Sequence, residues 1–163
     1  MDVAERILLT LQEEFSDLGE VEDLTRTLLR LLLAIILGGG LGYEREVTGK
    51  AAGVRTHMLV CIGSALFVMS LAQDDADNDA LSRIIQGIAS GIGFLCAGTI
   101  LKGSSISNVK GLTTAAGLWC AAAIGVTVGL GLEATAILAT LMAVLVLHVV
   151  PTWLDPKNKA ESD

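Results

Sequence analysis

The sequence predicts an all-α integral membrane protein, a five-span helical bundle with an N-terminal amphipathic helix. Three observations carry this. Of 163 residues, 52% are hydrophobic and only 4% aromatic, and the mean hydropathy of +0.64 leaves too little polar surface for a soluble domain. The charged residues gather in short stretches separated by nearly uncharged runs. Two of these runs, 22 residues over 111–132 and 21 over 134–154, each suffice to cross about 30 Å of hydrocarbon as helix. The acidic balance, −7 overall, excludes nucleic acid as a partner, and the long apolar runs exclude a disordered chain.

Residues 1–20 form the first element. Leu8, Leu11, Phe15 and Leu18 recur at helical spacing while Glu5, Glu13, Glu14 and Asp17 occupy other faces, which predicts an amphipathic helix on the outer membrane surface. No cleavable signal peptide is visible in this stretch. The membrane domain follows over 24–154. Its first span, Leu24 to Tyr43, carries Arg26 and Arg30 in its opening turns, where long side chains snorkel to the interface. Met58 to Gln73 makes the second span, at full length if it starts near Arg55, and Ile84 to Leu101 makes the third. The runs 111–132 and 134–154 make the fourth and fifth, and 155–163 is a cytoplasmic tail.

Lysine and arginine in the short loops predict orientation. The segment Glu44 to His57 carries Arg45, Lys50 and Arg55, and the loop Lys102 to Lys110 carries two lysines and no acid, so both are expected in the cytoplasm. Asp74 to Asp79 holds four aspartates and no base and is expected outside. Counting crossings places the N-terminus outside and the C-terminus inside.

No hydrophobic force drives helices together in lipid, so small residues must let them approach, and there are 18 glycines. Gly38 and Gly42, Gly87 and Gly91, and Gly125 and Gly129 are each one turn apart on one helix face. Packing within the subunit is the first expectation for these pairs, a subunit interface the second. The run Gly38-Gly39-Gly40 predicts a pliable end to the first span. A faint repeat pairs Arg30 with Arg83 and Gly53-Val54-Arg55-Thr56 with Gly111-Leu112-Thr113-Thr114, as in a duplicated helix hairpin.

The sharpest polar signal lies where the spans meet the cytoplasm. Glu44 and Arg45 end the first span, Arg55, Thr56 and His57 begin the second, and Lys110, Thr113 and Thr114 begin the fourth. Glu44 and Arg55 are expected to pair across antiparallel spans, and the free N–H groups opening the second and fourth spans favour a carboxylate or another anion there. Asp75, Asp77 and Asp79 have the opening spacing of a calcium loop, but Ala80 and Gln86 stand where glycine and glutamate are needed, so this is no EF-hand. A solvated acidic loop with Arg30 and Arg83 as partners is the expectation, with a weak, outward Mg²⁺ or Ca²⁺ contact as the alternative. His57 and His148 are each expected near an interface, and Cys61, Cys96 and Cys120, odd in number and inside apolar runs, are expected to pack rather than bridge. No phosphate loop, nucleophile elbow, zinc motif or dinucleotide fingerprint occurs, so enzyme activity has no visible carrier.

Five motifs in order, Arg30-Leu31-Leu32-Leu33-Ala34, Gly42-Tyr43-Glu44-Arg45-Glu46, Ala52-Gly53-Val54-Arg55-Thr56-His57, Gly91-Ile92-Gly93-Phe94-Leu95 and Lys110-Gly111-Leu112-Thr113-Thr114-Ala115-Ala116, resemble the MgtC/SapB family. The resemblance runs from Thr25 to Gly131. It implies a bacterial inner-membrane protein whose relatives are linked to growth at low magnesium and to survival inside macrophages. It also implies regulators of other membrane machines, among them ATP synthase and phosphate uptake, rather than magnesium transporters. Longer members carry a cytoplasmic ACT-like domain, which this chain is expected to lack. The expectation is therefore a non-enzymatic regulator, a homodimer in the bilayer with other membrane proteins as partners and no firm cofactor. The competing expectations are a small transporter or channel for magnesium or another ion and, third, a structural partner of a larger complex that needs that partner to fold.

Overall fold

The structure, a computed structural model, describes residues 2–14, 16, 20–71, 78–100 and 110–154. The predicted positions Phe15, Asp17, Leu18, Asp75 and Asp77, the lysine loop before Lys110 and the tail 155–163 lie outside them. All regular structure among the described residues is helical: α1 (Val3–Glu14), α2 (Val21–Val47), α3 (Val54–Met69), α4 (Asn78–Ile100), α5 (Leu112–Gly129) and α6 (Glu133–Leu154).

Four helices, α2, α4, α5 and α6, are long and apolar enough to cross a membrane. With 16 residues, α3 is the short one, about 24 Å of helix. The chain is a multi-pass membrane protein with four candidate spans and, in α3, a fifth, shorter apolar helix. No residue of α1 is buried, and its apolar side chains Val3, Ile7, Leu8 and Leu11 all stand exposed.

The bundle is built around α5, which packs against α2, α3, α4 and α6. Ten of its 18 residues are buried, whereas in the 23-residue α4 only Ile92 is. Ala34, Leu37, Leu41, Cys61, Ala65, Ala121, Ile124, Val128 and Ala136 form the core. On the outside, Phe94 of α4 and Leu138, Leu141 and Leu145 of α6 are turned outward as a lipid-facing surface.

Glycine sets the spacing of the three central helices. A Cβ on Gly38 would come within 2.7 Å of the His57 carbonyl, and one on Gly42 within 2.6 Å of the Val54 Cα, so α2 and α3 touch backbone to backbone. A Cβ on Gly125 would run into the Cys61 carbonyl, and one on Gly129 would lie 2.7 Å from the Ala65 carbonyl. Residue numbers rise together along this second seam, so α3 and α5 run parallel, as a repeated hairpin requires. Gly87 and Gly91 depart from the expectation. Nothing lies within 4 Å of a Cβ on either, because α4 leans on α5 and barely touches α3. Across Gly38-Gly39-Gly40, α2 continues as unbroken helix to Val47. Packing of Gly38 and Gly39 against α3 offsets their poor intrinsic propensity.

Candidate functional site

The polar residues predicted to matter collect at the end of the bundle where α2 finishes and α3 and α5 begin. The last turns of α2 carry Glu44 and Arg45. Arg45 is buried at 3% exposure and donates through Nε to Glu44 Oε2, while the Glu44 side chain is itself only 12% exposed. Arg45 thus satisfies Glu44 from within the same helix turn, and the predicted pairing of Glu44 with Arg55 is corrected. Arg55 is exposed, faces the α3–α4 side, and has no carboxylate partner among the described residues.

The carboxylate expected at the start of α3 is present but comes from Glu46. Its Oε2 accepts the Val54 N–H at 2.8 Å, neutralising one of the open donors of the first turn. Gly53 makes room for it, because a Cβ there would meet the Glu46 carboxylate at 2.5 Å. Sequence reasoning missed Glu46. The available signal was an acid placed just before the turn that precedes the helix it caps.

His57 is fully buried. Its Nδ1 hydrogen bonds to the Gly53 carbonyl at 2.9 Å, and the ring turns Nε2 toward α5, where a Cβ on Gly117 would lie 3.3 Å away. With Nδ1–H donating, Nε2 is left as an acceptor, and it is the single buried side-chain polar atom without a hydrogen-bond partner among the described residues. Arg45 is close enough to His57 to act on it electrostatically. Thr114, one turn before Gly117 on the same α5 face, is buried as well. Lys110, Thr113 and Thr56 are less enclosed: the first two are exposed and Thr56 half-buried. The structure therefore encloses Glu44, Arg45 and His57, with Thr114 buried nearby on the α5 face that His57 meets, and leaves Arg55, Lys110 and Thr113 exposed.

At the opposite end, Arg30 reaches the α5–α6 turn. It donates to the Gly129 carbonyl at 3.2 Å and lies 3.7 Å from Glu133, and Gly131 (φ +77°) leaves space for its guanidinium. Glu133 thus takes the role expected of the aspartates toward Arg30. Asp79 sits exposed in the first turn of α4 and Arg83 one turn later, also exposed. No group of three or more His, Cys, Asp or Glu side chains gathers at metal-binding range among the described residues. Cys96 donates to the Ala115 carbonyl at 3.2 Å, tying α4 to α5.

Protein SrpB of Synechococcus elongatus is 45% identical over 129 residues, 72% of this chain and 71% of that protein. A protein of Escherichia coli strain K12 named putative magnesium transporter YhiD is 43% identical over 75% of this chain. Protein MgtC of Brucella suis is 44% identical over 76% of this chain. The aligned part makes up 59% of the Escherichia coli protein and 50% of the Brucella one, so the chain spans little more than half their length. No solved structure is significantly similar. Residues 31–154, which hold every member of the enclosed cluster, match the MgtC family, and the chain belongs to that family.

Proposed function

We propose that the chain is a non-enzymatic bacterial inner-membrane regulator that supports growth at low magnesium, or survival inside a host cell, by acting on other membrane machinery. The observation that carries this reading is the internal neutralisation of the cluster. Glu44, the carboxylate at the polar end of the α2–α3–α5 seam, is already held by Arg45. A desolvating Mg²⁺ needs carboxylate and water oxygens, and a buried guanidinium at the same place repels it. A rigid, self-neutralised cluster at the membrane boundary suits a surface recognised by a partner. In this reading the Glu44 end faces the cytoplasm, the protein works as a homodimer, and Mg²⁺ is a condition of its use rather than a bound cofactor.

Transport is the second reading, favoured by the name of the Escherichia coli relative. Purified chain in liposomes with an internal magnesium indicator separates the two. Flux equal to that of empty liposomes, with loss of growth at low magnesium in an assembled Glu44→Gln strain, supports regulation. Flux above empty liposomes that disappears in Glu44→Gln overturns it.

A further inference from the structure

Between α3 and α4 runs a groove of about 870 Å³ that the polar cluster does not use. The two helices barely touch, because each is held against α5 instead. Leu59, Val60 and Phe67 line one wall and Ile84, Ile88 and Leu95 the other. Gly63, Gly87 and Gly91 keep the groove open, since a Cβ on any of them would meet nothing within 4 Å. Arg55 opens α3 and Arg83 lies near the start of α4, so consecutive antiparallel spans place one arginine at each end of an otherwise apolar channel.

We propose that this groove holds an acyl chain of an anionic phospholipid whose headgroup phosphate is bound by Arg55. Charge complementarity favours this occupant. Arg55 is exposed at the membrane boundary, lines the groove, and has no carboxylate partner among the described residues. A phosphate supplies the missing countercharge in the bidentate geometry that guanidinium prefers. Glu46 already takes the first N–H of α3, so the headgroup is held through the guanidinium rather than the helix terminus. Thr56, which also lines this end, offers a hydroxyl to a phosphate or glycerol oxygen.

Symmetry disfavours a second copy of the chain in the same place. Two copies related by a two-fold axis along the membrane normal, meeting through this face, would oppose Arg55 to Arg55 and Arg83 to Arg83 at equal depth. A lipid brings the opposite charge.

Native mass spectrometry of the full chain in detergent, with phosphatidylglycerol or phosphatidylcholine added at equal concentration, tests the proposal. The expected result is a preference for phosphatidylglycerol of about fivefold, the usual worth of one basic side chain near an anionic surface. Arg55→Gln removes the preference, Arg55→Lys retains part of it, and Arg83→Gln leaves it unchanged, while Gly91→Phe fills the groove and reduces retention of both lipids. Thermal melting of each variant in detergent alone confirms that it is folded, and Arg55→Lys keeps the charge test open if Arg55→Gln fails this control. Equal retention of the two lipids by the unaltered chain overturns the proposal, as does an unchanged preference in folded Arg55→Gln. Bound lipid in no variant, with a dimer that separates on Gly91→Phe, assigns the groove to a second copy and also overturns it.

Discussion

At the residue scale, two arginines ten positions apart have opposite fates, and their side-chain burial explains why. Arg45 is enclosed beside Glu44, whereas Arg55 stands in the open groove. Removing one partner of an enclosed ion pair strands the other charge, at a cost of about 3–5 kcal/mol. Arg45→Ala is therefore expected to be severe, Arg55→Ala to remain within about 0.5 kcal/mol as for an ordinary surface change, and the Glu44→Ala, Arg45→Ala double variant to be milder than the sum of its parts. Thermal unfolding in one detergent measures all of them; an Arg55→Ala loss as large as that of Arg45→Ala would remove the assignment of partners. The residues of this cluster were legible in the sequence, because charge at the end of an apolar run is conspicuous. Their pairing was not. Glu44 and Arg55 share a depth, but depth does not fix the angle around the helix, and a neighbour on the same helix competes at no loop-closure cost. His57, the fourth residue of α3, lies near the end of the bundle along the helix axis, but the sequence did not show that its azimuth points at Gly117 and into the core.

At the scale of elements, the spans were legible because an apolar run between charges has a length that hydrocarbon thickness dictates. Their ends moved by a few residues. α2 extends from Val21 to Val47, past the predicted Tyr43, since Glu44 and Arg45 are satisfied within the helix. The glycine pairs divide two to one. One-turn spacing identifies a face on which backbones can approach, but only the neighbour decides whether they do. At Gly125 the Cys61 carbonyl occupies the place of a Cβ and the Ser64 Cβ lies 2.9 Å away, while Gly91 faces open space. Gly125→Ala is accordingly expected to destabilise by about 1–3 kcal/mol through overpacking of α3 against α5. Gly91→Ala is expected to be neutral or to stabilise by up to about 1 kcal/mol, the helix-propensity difference. Melting temperatures in detergent check both, and a Gly91→Ala variant that melts below Gly125→Ala would reverse the assignment of which seam holds the bundle.

At the scale of the whole molecule, the two ends of the bundle differ in how their bases are held. At the end where α2 finishes, Lys50, Arg55 and Lys110 are exposed, beyond the paired Arg45. At the other end Arg30 is tied to Glu133 and the Gly129 carbonyl and Arg26 lies 3.9 Å from Asp23, while Arg83 is exposed. Lysine in short loops is retained on the cytoplasmic side, and on the two connecting-segment lysines, Lys50 and Lys110, we propose the Glu44 end as the inner one and α1 as lying outside. Two described turns allow a direct test: Lys50 in the α2–α3 connection and Leu132 between α5 and α6, both exposed. With a membrane-impermeant maleimide, Leu132→Cys is expected to be labelled in intact cells and Lys50→Cys only after the membrane is opened, each measured above the parent chain with its three native cysteines. The reverse pattern would turn the bundle over. The enclosed Glu44–Arg45–His57 cluster would then face the periplasm, and a regulator of cytoplasmic machinery would have to work from the Arg30–Glu133 end instead.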